Sequence, residues 1–423
     1  MEVLVVGSGG REHALCWKLA QSAEVDRVYC APGNGGISLV ADCVPIRADD
    51  IAGLCDFASS RSIGLTVVGP EGPLCAGIVD HFRRAGLNIF GPSRKAAELE
   101  GSKVFCRDLC RRHRVPSPQS WNFLDLTTAL AFLESHKEDR FVVKASGLAA
   151  GKGVTVCENY AEARKAVSDC LEGGVFGEAG KSIVIEEFLV GDEVSMLALT
   201  DGRTLVPLES AKDHKAAYDG DTGPNTGGMG AISPAPAANP RTLKQVESQV
   251  LVQTIHAMAQ EGRRYAGVLY AGLMITTLGP RLLEINCRFG DPETQPLMLR
   301  LESDLLPILD AAARGKLDSL PARPKWDARP AACVVAVADD YPGEYRSGQR
   351  ITGLDEFLGQ KDLVVFHNGT ERRPDGIFQT SGGRVLSVTA KAKTVRAAVD
   401  RCYDALERIH FDGMRYRRDI GKR

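Results

Sequence analysis

Residues 1–100 alternate short apolar runs with helical patterns, and this alternation constrains the fold more than any other feature of the 423-residue chain. EVLVV, VDRVYC, GLTVVGP and LNIFGP read as strands, with helices between them at 11–22, near 50–60 and near 74–85. Strands separated by helices predict a parallel sheet with helices on both faces, because a parallel pair needs a crossover. Ligands of such sheets bind beyond the carboxyl ends of the strands. The loops there are GSGGRE (7–12), APGNGG (31–36) and GPEGP (69–73).

The chain is too long for one core, and two proline-bearing stretches divide it, VPSPQSW after the basic helical segment 102–114 and LPARPKWDARP at 320–330. The expected organisation is a Rossmann-like domain at 1–101 and a central domain made of 102–118 and 191–325. A smaller lobe at 119–190, with one helix at 161–171, and an α+β module at 326–423 complete it. Residues 191–325 read as strands and long loops. The last module reads as the strands AACVVAVA and RVLSVTA with a helix at 393–410.

Lysine and arginine number 52 against 54 acidic residues, a net charge of −2. That balance gives no footprint for nucleic acid or an anionic membrane, so an anionic ligand must be met by local charge. The start has no basic and apolar leader pattern, and no run approaches the roughly 20 apolar residues of a membrane span. A cytoplasmic protein acting on small molecules is expected, as a monomer or else a dimer. Twelve cysteines are scattered singly, the closest pair being Cys106 and Cys110, and they read as reduced core thiols.

VVKASGLAAGKGVTV (142–156) resembles a phosphate cradle but is not a P-loop: three residues separate Gly147 from Gly151, and Gly153 follows Lys152. Lys144 lies on a predicted strand and Lys152 near the tip of a glycine loop. The stretch reads either as a hairpin lid over a triphosphate or as a surface hairpin. GSGGREHA opens a helix, whose N-terminal N–H groups favour a single phosphate supported by Arg11, or form only a tight turn. Glu12 stands where a dinucleotide fingerprint needs glycine.

In IVIEEFL, Glu186 and Glu187 point to opposite faces of a strand, so one at most meets a ligand; a solvated edge is the other reading. RLLEINCRFGDPETQ (281–295) sets Glu284 and Asn286 on one strand face, roughly 7 Å apart. Two oxygen donors on a rigid strand suit Mg²⁺, which takes its remaining ligands from water and phosphate; a polar hairpin edge is the alternative. Arg288, Asp291 and Glu293 follow with charge enough to hold a zwitterion. The loop at 210–236 carries Asp213, His214 and Lys215 and the glycine-rich GDTGPNTGGMG, and is too long for a plain connector.

GSGGREHA, APGN, VGPE, KASGLAAGKGV, EEFL, DHK, DTGPNTGGMG, INCRFGDPETQ and GGRVLSVTA, in this order, resemble the glycinamide ribonucleotide synthetases, ATP-grasp ligases of purine synthesis. The resemblance implies an α/β and α+β multidomain ATP-grasp fold, with ATP as co-substrate and Mg²⁺ or Mn²⁺. It implies that glycine is joined to 5-phosphoribosylamine through glycyl phosphate. Matching motifs place Lys103, Lys144, Gly151, Lys152, Gly153, Glu186, Glu187, Leu189 and Glu193 around ATP, and Glu284 and Asn286 on the metal. They place Gly9, Gly10, Arg11, Glu12, Asn34, Pro70, Glu71, His214 and Asn225 on the acceptor side. Lys152, Asp213, Lys215, Arg288 and Asp291 are the implied catalytic residues.

Ser146 departs from the family, which usually has aspartate there, so a carboxylate role at that place is lost. The chain ends after its last module and is expected to be monofunctional. Other ATP-grasp ligases and carboxylases share the lid and the Glu284–Asn286 pair, whereas DHK, DTGPNTGGMG and RFGDPETQ separate them by resemblance. A non-catalytic nucleotide sensor is the reading from another class, and two metal donors beside a lysine-bearing lid exceed what sensing requires.

Overall fold

The computed structural model describes residues 1–149, 153–321 and 323–422. Its first strands, β1 (Glu2–Gly7), β2 (Arg27–Pro32), β3 (Asp42–Cys43), β4 (Leu65–Val68) and β5 (Ile89–Phe90), form a parallel sheet in the order β3-β2-β1-β4-β5. Val3, Leu4, Val5 and Val6 are all fully buried, as expected of a strand covered on both faces. Helix α1 (Gly10–Leu19) follows β1 and α2 (Ile51–Ser60) precedes β4. The third expected helix is two, α3 (Glu71–Ala76) and α4 (Ile78–Arg84), because Gly77 between them takes φ +96° and breaks the hydrogen-bond ladder. Strand order reverses between β1 and β4, so the loops after them, 7–10 and 69–71, lie side by side at the crevice.

Two further helices, α5 (Arg94–Gly101) and α6 (Lys103–His113), lead to a four-stranded antiparallel lobe. It contains β6 (Ser120–Phe123), α7 (Leu126–Ser135), β7 (Phe141–Ala145), β8 (Val154–Cys157), α8 (Tyr160–Leu171) and β9 (Ile183–Glu187), with strand order β6-β9-β7-β8. The lobe has two helices where one was expected; α7 starts at Asp125, whose side chain accepts from the Thr128 N–H. Its core, including Leu133, Phe141, Val143, Val167 and Ile185, is built from its own residues.

The largest sheet has eight strands. Its central part comprises β10 (Asp192–Thr200), β11 (Leu205–Asp213), β14 (Gly230–Ser233), β15 (Gly267–Thr276) and β16 (Gly279–Asn286), with the hairpin β12 (Ala216–Tyr218) and β13 (Thr222–Asn225) projecting from it. Residues 191–325 also contain α9 (Pro240–Gln245), α10 (Val252–Gln260), α11 (Thr294–Arg300) and α12 (Leu305–Ala313), where strands and loops were expected. Beyond the second linker come β17 (Ala331–Val337), β18 (Arg350–Ile351), β19 (Leu363–His367), β20 (Thr370–Arg372), β21 (Phe378–Thr380), β22 (Arg384–Lys391) and α13 (Val395–Leu406). The last helix is shorter at both ends than its expected 393–410.

Strand order in this sheet is β16-β15-β10-β11-β14-β17-β22-β19. Ser233 of β14 stands opposite Ala331 of β17, so the C-terminal strands continue the central sheet without a break. Among the described residues no helix is long and apolar enough to cross a membrane.

Candidate active site

A cavity of about 360 Å³ lies between the lobe, the β15–β16 hairpin and the ends of the N-terminal strands. Its wall brings together Arg11, Glu71, Lys103, Lys144, Gly153, Glu186, Asp213, Lys215, Asn225, Glu284, Asn286, Arg288 and Asp291 from the expected set. Gly151 and Lys152 lie outside the described residues.

At the lobe end, Glu186 is 1% exposed and accepts from Arg107 Nε at 2.6 Å, and its second oxygen pairs with Lys144 Nζ at 2.9 Å. Lys144 also donates to the Leu283 carbonyl of β16 at 2.8 Å. Burial raises the cost of the Glu186 carboxylate, but Arg107 and Lys144 overcome it and hold the group below its ordinary range. The structure thus gives Glu186 two cations to orient, so a ribose hydroxyl would meet a carboxylate already engaged. Glu187, on the opposite face, accepts from the Gln119 N–H at 2.8 Å and is turned from the cavity.

The floor is the end of β16. Lys215 Nζ donates to Glu284 Oε1 at 2.8 Å, and this cation holds the Glu284 carboxyl down at about 2 against the opposing effect of burial. Asn286 Oδ1 accepts from Arg288 Nη2 at 3.4 Å. Among the described residues no group of three or more His, Cys, Asp or Glu side chains gathers as a metal cage. An ionised carboxylate and an amide oxygen two residues apart fit a hard cation that takes its other ligands from water and phosphate. Lys103 stands above them, its Nζ 3.2 Å from the Gly147 carbonyl, and burial lowers its pKa.

Farther in, Arg288 bridges Glu71 (3.0 Å) and Glu100 (3.3 Å). Burial opposes ionisation of Glu71, yet Arg288 and Arg11 keep it at about 2. Asp291 pairs with Arg384 Nη2 at 3.3 Å, which with Arg11 holds its pKa low despite burial. Asp213 behaves oppositely: burial, reinforced by Glu293, pushes its carboxyl well above the usual range, and its Oδ1 has no hydrogen-bond partner. Glu293 accepts from Tyr270 OH at 2.7 Å and from Ser195 Oγ at 3.0 Å.

Several expected residues stand elsewhere. His214 is 4% exposed, and its ring contacts the Gly230 carbonyl and the Gly421 N–H, away from the cavity. Strand alternation explains this, since Asp213 and Lys215 take the cavity face and His214 the other. Burial holds its pKa at about 4. Leu189, Glu193 and Pro70 are not in the cavity wall, although Glu193 is close enough to act electrostatically on Asp213 and Lys215.

The N-terminus of α1 differs most from expectation. The Gly9 N–H donates to Glu12 Oε2 (2.6 Å) and the Arg11 N–H to Asp291 Oδ2 (3.3 Å), while Arg11 Nε pairs with Glu12 Oε1 (2.6 Å). The helix end proposed for a phosphate is therefore already met by two carboxylates. Gly10 serves packing: a Cβ there would lie 1.9 Å from Asn368 Oδ1 of the C-terminal module. Asn34 donates to the carbonyls of Ser8, His367 and Asn368 and accepts from the Gly36 and Ile37 N–H groups, so its amide knits loops together.

Arg107, Glu100, Tyr270 and Arg384 line the cavity and were not singled out from the sequence. Arg107 had a signal, lying four residues after Lys103 on the same helical face. Arg384 had one too, in the unassigned GGRVLSVTA motif.

Comparison with known proteins gives this arrangement a context. The models of the phosphoribosylglycinamide synthetase N domain, ATP-grasp (A) domain and C domain match residues 1–100, 101–294 and 331–423. A phosphoribosylamine–glycine ligase of Vibrio cholerae is 50% identical over 428 aligned positions, covering all of this chain and 98% of that protein. One of Allochromatium vinosum is 51% identical with the same coverage. A crystal structure of phosphoribosylamine–glycine ligase from Thermotoga maritima superposes with TM-score 0.84 at 30% identity, covering 99% of this chain and 100% of that one. The biotin carboxylase domain of the Hydrogenobacter thermophilus 2-oxoglutarate carboxylase, in complex with MgADP and bicarbonate, shares the fold at TM-score 0.74 and 16% identity, covering 98% of this chain and 91% of that one.

Proposed function

The chain belongs to the phosphoribosylglycinamide synthetase family, and from that membership and the cavity we infer that it joins glycine to phosphoribosylamine at the expense of ATP, a step of purine biosynthesis. The observation that carries the site assignment is the convergence of Lys103, Lys144, Lys215, Glu284, Asn286 and Arg288 on one cavity from three parts of the fold.

In this reading Lys144, set by Glu186 and Leu283, and Lys103 at the start of α6 meet the phosphate oxygens of ATP. Glu284 and Asn286 would hold Mg²⁺ or Mn²⁺, which supplies charge neutralisation at those oxygens. Arg288 takes the glycine carboxylate, aligned by Glu71 and Glu100. That carboxylate attacks the γ-phosphorus, the bond to the bridging oxygen breaks, and ADP leaves with glycyl phosphate in place. The amine nitrogen of phosphoribosylamine then attacks the acyl carbon, phosphate departs with the electron pair of the carbon–oxygen bond, and the nitrogen sheds one proton. Phosphoryl transfer needs chiefly positioning and charge neutralisation, which a wall of paired side chains on rigid strands provides.

The test is ADP release by the purified chain with Mg²⁺ and glycine, with and without phosphoribosylamine generated in place from ribose 5-phosphate and ammonia. ADP should appear only when both substrates are present, together with an amide of matching mass. Equal ADP formation without glycine would refute the acceptor assignment.

A further inference from the structure

A second cleft, of about 640 Å³, opens on the seam between the N-terminal domain and the C-terminal module. One side is the 32–38 loop; the other is β20 and the turn after it, with Arg372, Arg373 and Ser381. The two sides touch closely: Gly35 N–H donates to the Thr370 carbonyl at 2.9 Å, and a Cβ at Gly35 would lie 2.8 Å from the Arg372 nitrogen. Glu371 is the one carboxylate in its lining, and it accepts from Gln379.

The charge inventory sets this cleft against the main cavity. There, Arg11, Arg107, Lys144, Lys215, Arg288 and Arg384 each face a carboxylate within ion-pair distance, which leaves Lys103 as the uncommitted cation among the described residues. ATP needs that charge. The helix end that reads from sequence as a phosphate site is filled by Glu12 and Asp291. Among the described residues, a substrate carrying its own phosphate therefore finds no cation in the main cavity that is neither paired with a carboxylate nor taken by ATP. In the second cleft Arg372 has no carboxylate within ion-pair distance among the described residues and lies 5.7 Å over the Phe378 ring, while Arg373 holds only the exposed Asp375.

The two spaces are also neighbours. Asn34, lining the second cleft, bonds to Ser8, and Gly9 sits beside Asp291, which lines the main cavity. Ser8, which is exposed, and Gly9 form the stretch of chain between these two contacts. We propose that the second cleft receives the phosphate of the acceptor, a phosphorylated pentose amine, with Arg372 and Arg373 as its cations and the amine end lying over Ser8–Gly9 toward Asp291. This rests on the ligase reading. Guanidinium forks suit phosphate oxygens, and a cation without a carboxylate partner gives up nothing to bind them.

The test is calorimetric titration of the full chain with ribose 5-phosphate, a non-reacting probe, beside steady-state kinetics with phosphoribosylamine. Ribose 5-phosphate should bind and ribose should not. The R372A/R373A double variant should weaken that binding and raise the KM for phosphoribosylamine about 10- to 100-fold, the loss expected for charge-assisted hydrogen bonds. KM values for ATP and glycine should stay within about twofold of the wild type, since the cleft lies apart from their cavity. R372K/R373K should recover part of the binding, and an unchanged Tm shows that the fold is intact. Unchanged ribose 5-phosphate binding in the Ala variant overturns the proposal. So does binding lost without change in kcat/KM for phosphoribosylamine, which would mark an effector site. A wild-type chain that binds ribose 5-phosphate but makes no amide refutes the ligase reading instead.

Discussion

The lobe over the cavity meets the rest of the molecule through ion pairs and a helix cap, whereas the C-terminal module is hydrogen-bonded into the central sheet. Glu186 and Lys144 of the lobe reach Arg107 and the Leu283 carbonyl, and Ser146 contributes its carbonyl to the Lys103 N–H (2.8 Å) and its hydroxyl to the Val104 N–H (3.2 Å). The lobe's apolar core stays its own. On the other side, β17 pairs with β14 over Gly230–Ser233, and Ile232 packs in one core with Val334, Leu386 and Val388. Polar contacts exchange for water at little net cost, whereas separating buried apolar faces costs roughly 25 cal/mol per Å². The difference teaches that the lobe can part from the rest of the molecule at lower cost, whereas the C-terminal module holds Arg384, and with it Asp291, in a fixed place.

The strongest way to break this comparison is Glu186→Ala. It leaves Arg107 and Lys144 buried beside an absent carboxylate, and removing one partner of a buried pair costs about 3–5 kcal/mol. The melting temperature should fall and the KM for ATP rise. A variant with unchanged melting would show that the lobe is not held by this triad.

Acid should separate the two attachments next. His214 and His367 lie on the C-terminal side, each 4% or less exposed, and burial holds both at about 4. Their folded pKa lies below the unfolded value of roughly 6.5, so the unfolded chain takes up the proton first. Their stabilisation is full above that pH and falls as pH drops toward 4, by roughly 2 kcal/mol each at pH 5. Glu186, depressed in the fold, keeps its contribution until pH falls through the ordinary carboxylate range. Hydrogen exchange at pH 5 should therefore show the β14–β17 seam loosening before the lobe contacts do; the reverse order would contradict the assignment of these two histidines.

The smallest effect sharpens the lobe side. Ser146→Ala removes the acceptor for the Val104 N–H and should cost about 1 kcal/mol, while Ser146→Asp should strengthen the cap by placing a negative charge at the start of α6. Proteolytic cleavage of the lobe in the absence of nucleotide should rise in the first variant and fall in the second. Equal cleavage would deny Ser146 a part in holding the lobe down.

Much of this site was legible because it rests on local spacing. Lys144 on a strand, Glu284 and Asn286 two apart, and Arg288 and Asp291 in the following loop all reach the cavity wall. Placement departed from expectation where a local pattern has two structural outcomes. His214 sits between two cavity residues but points the other way. The GSGG turn carries a phosphate-binding pattern, yet Glu12 from its own helix and Asp291, 280 residues away, occupy its N–H groups. The helix at 126–135 carries Leu126, Ala129, Leu130 and Leu133 at helical spacing, a local pattern that the reading of this stretch as strand and hairpin passed over.

The sequence by itself determined the parallel sheet of the first domain, the chemistry of the cavity's principal groups and the family, because strand and helix periodicity and contiguous motifs are properties of neighbouring residues. Only the tertiary structure decided which charges are committed, which face of each strand meets the cavity, and that β17, about a hundred residues after β14, extends the same sheet. Ion pairs such as Arg384–Asp291 and Lys215–Glu284 join residues far apart in the chain. Their existence depends on the packing of separate layers, and no local pattern records it.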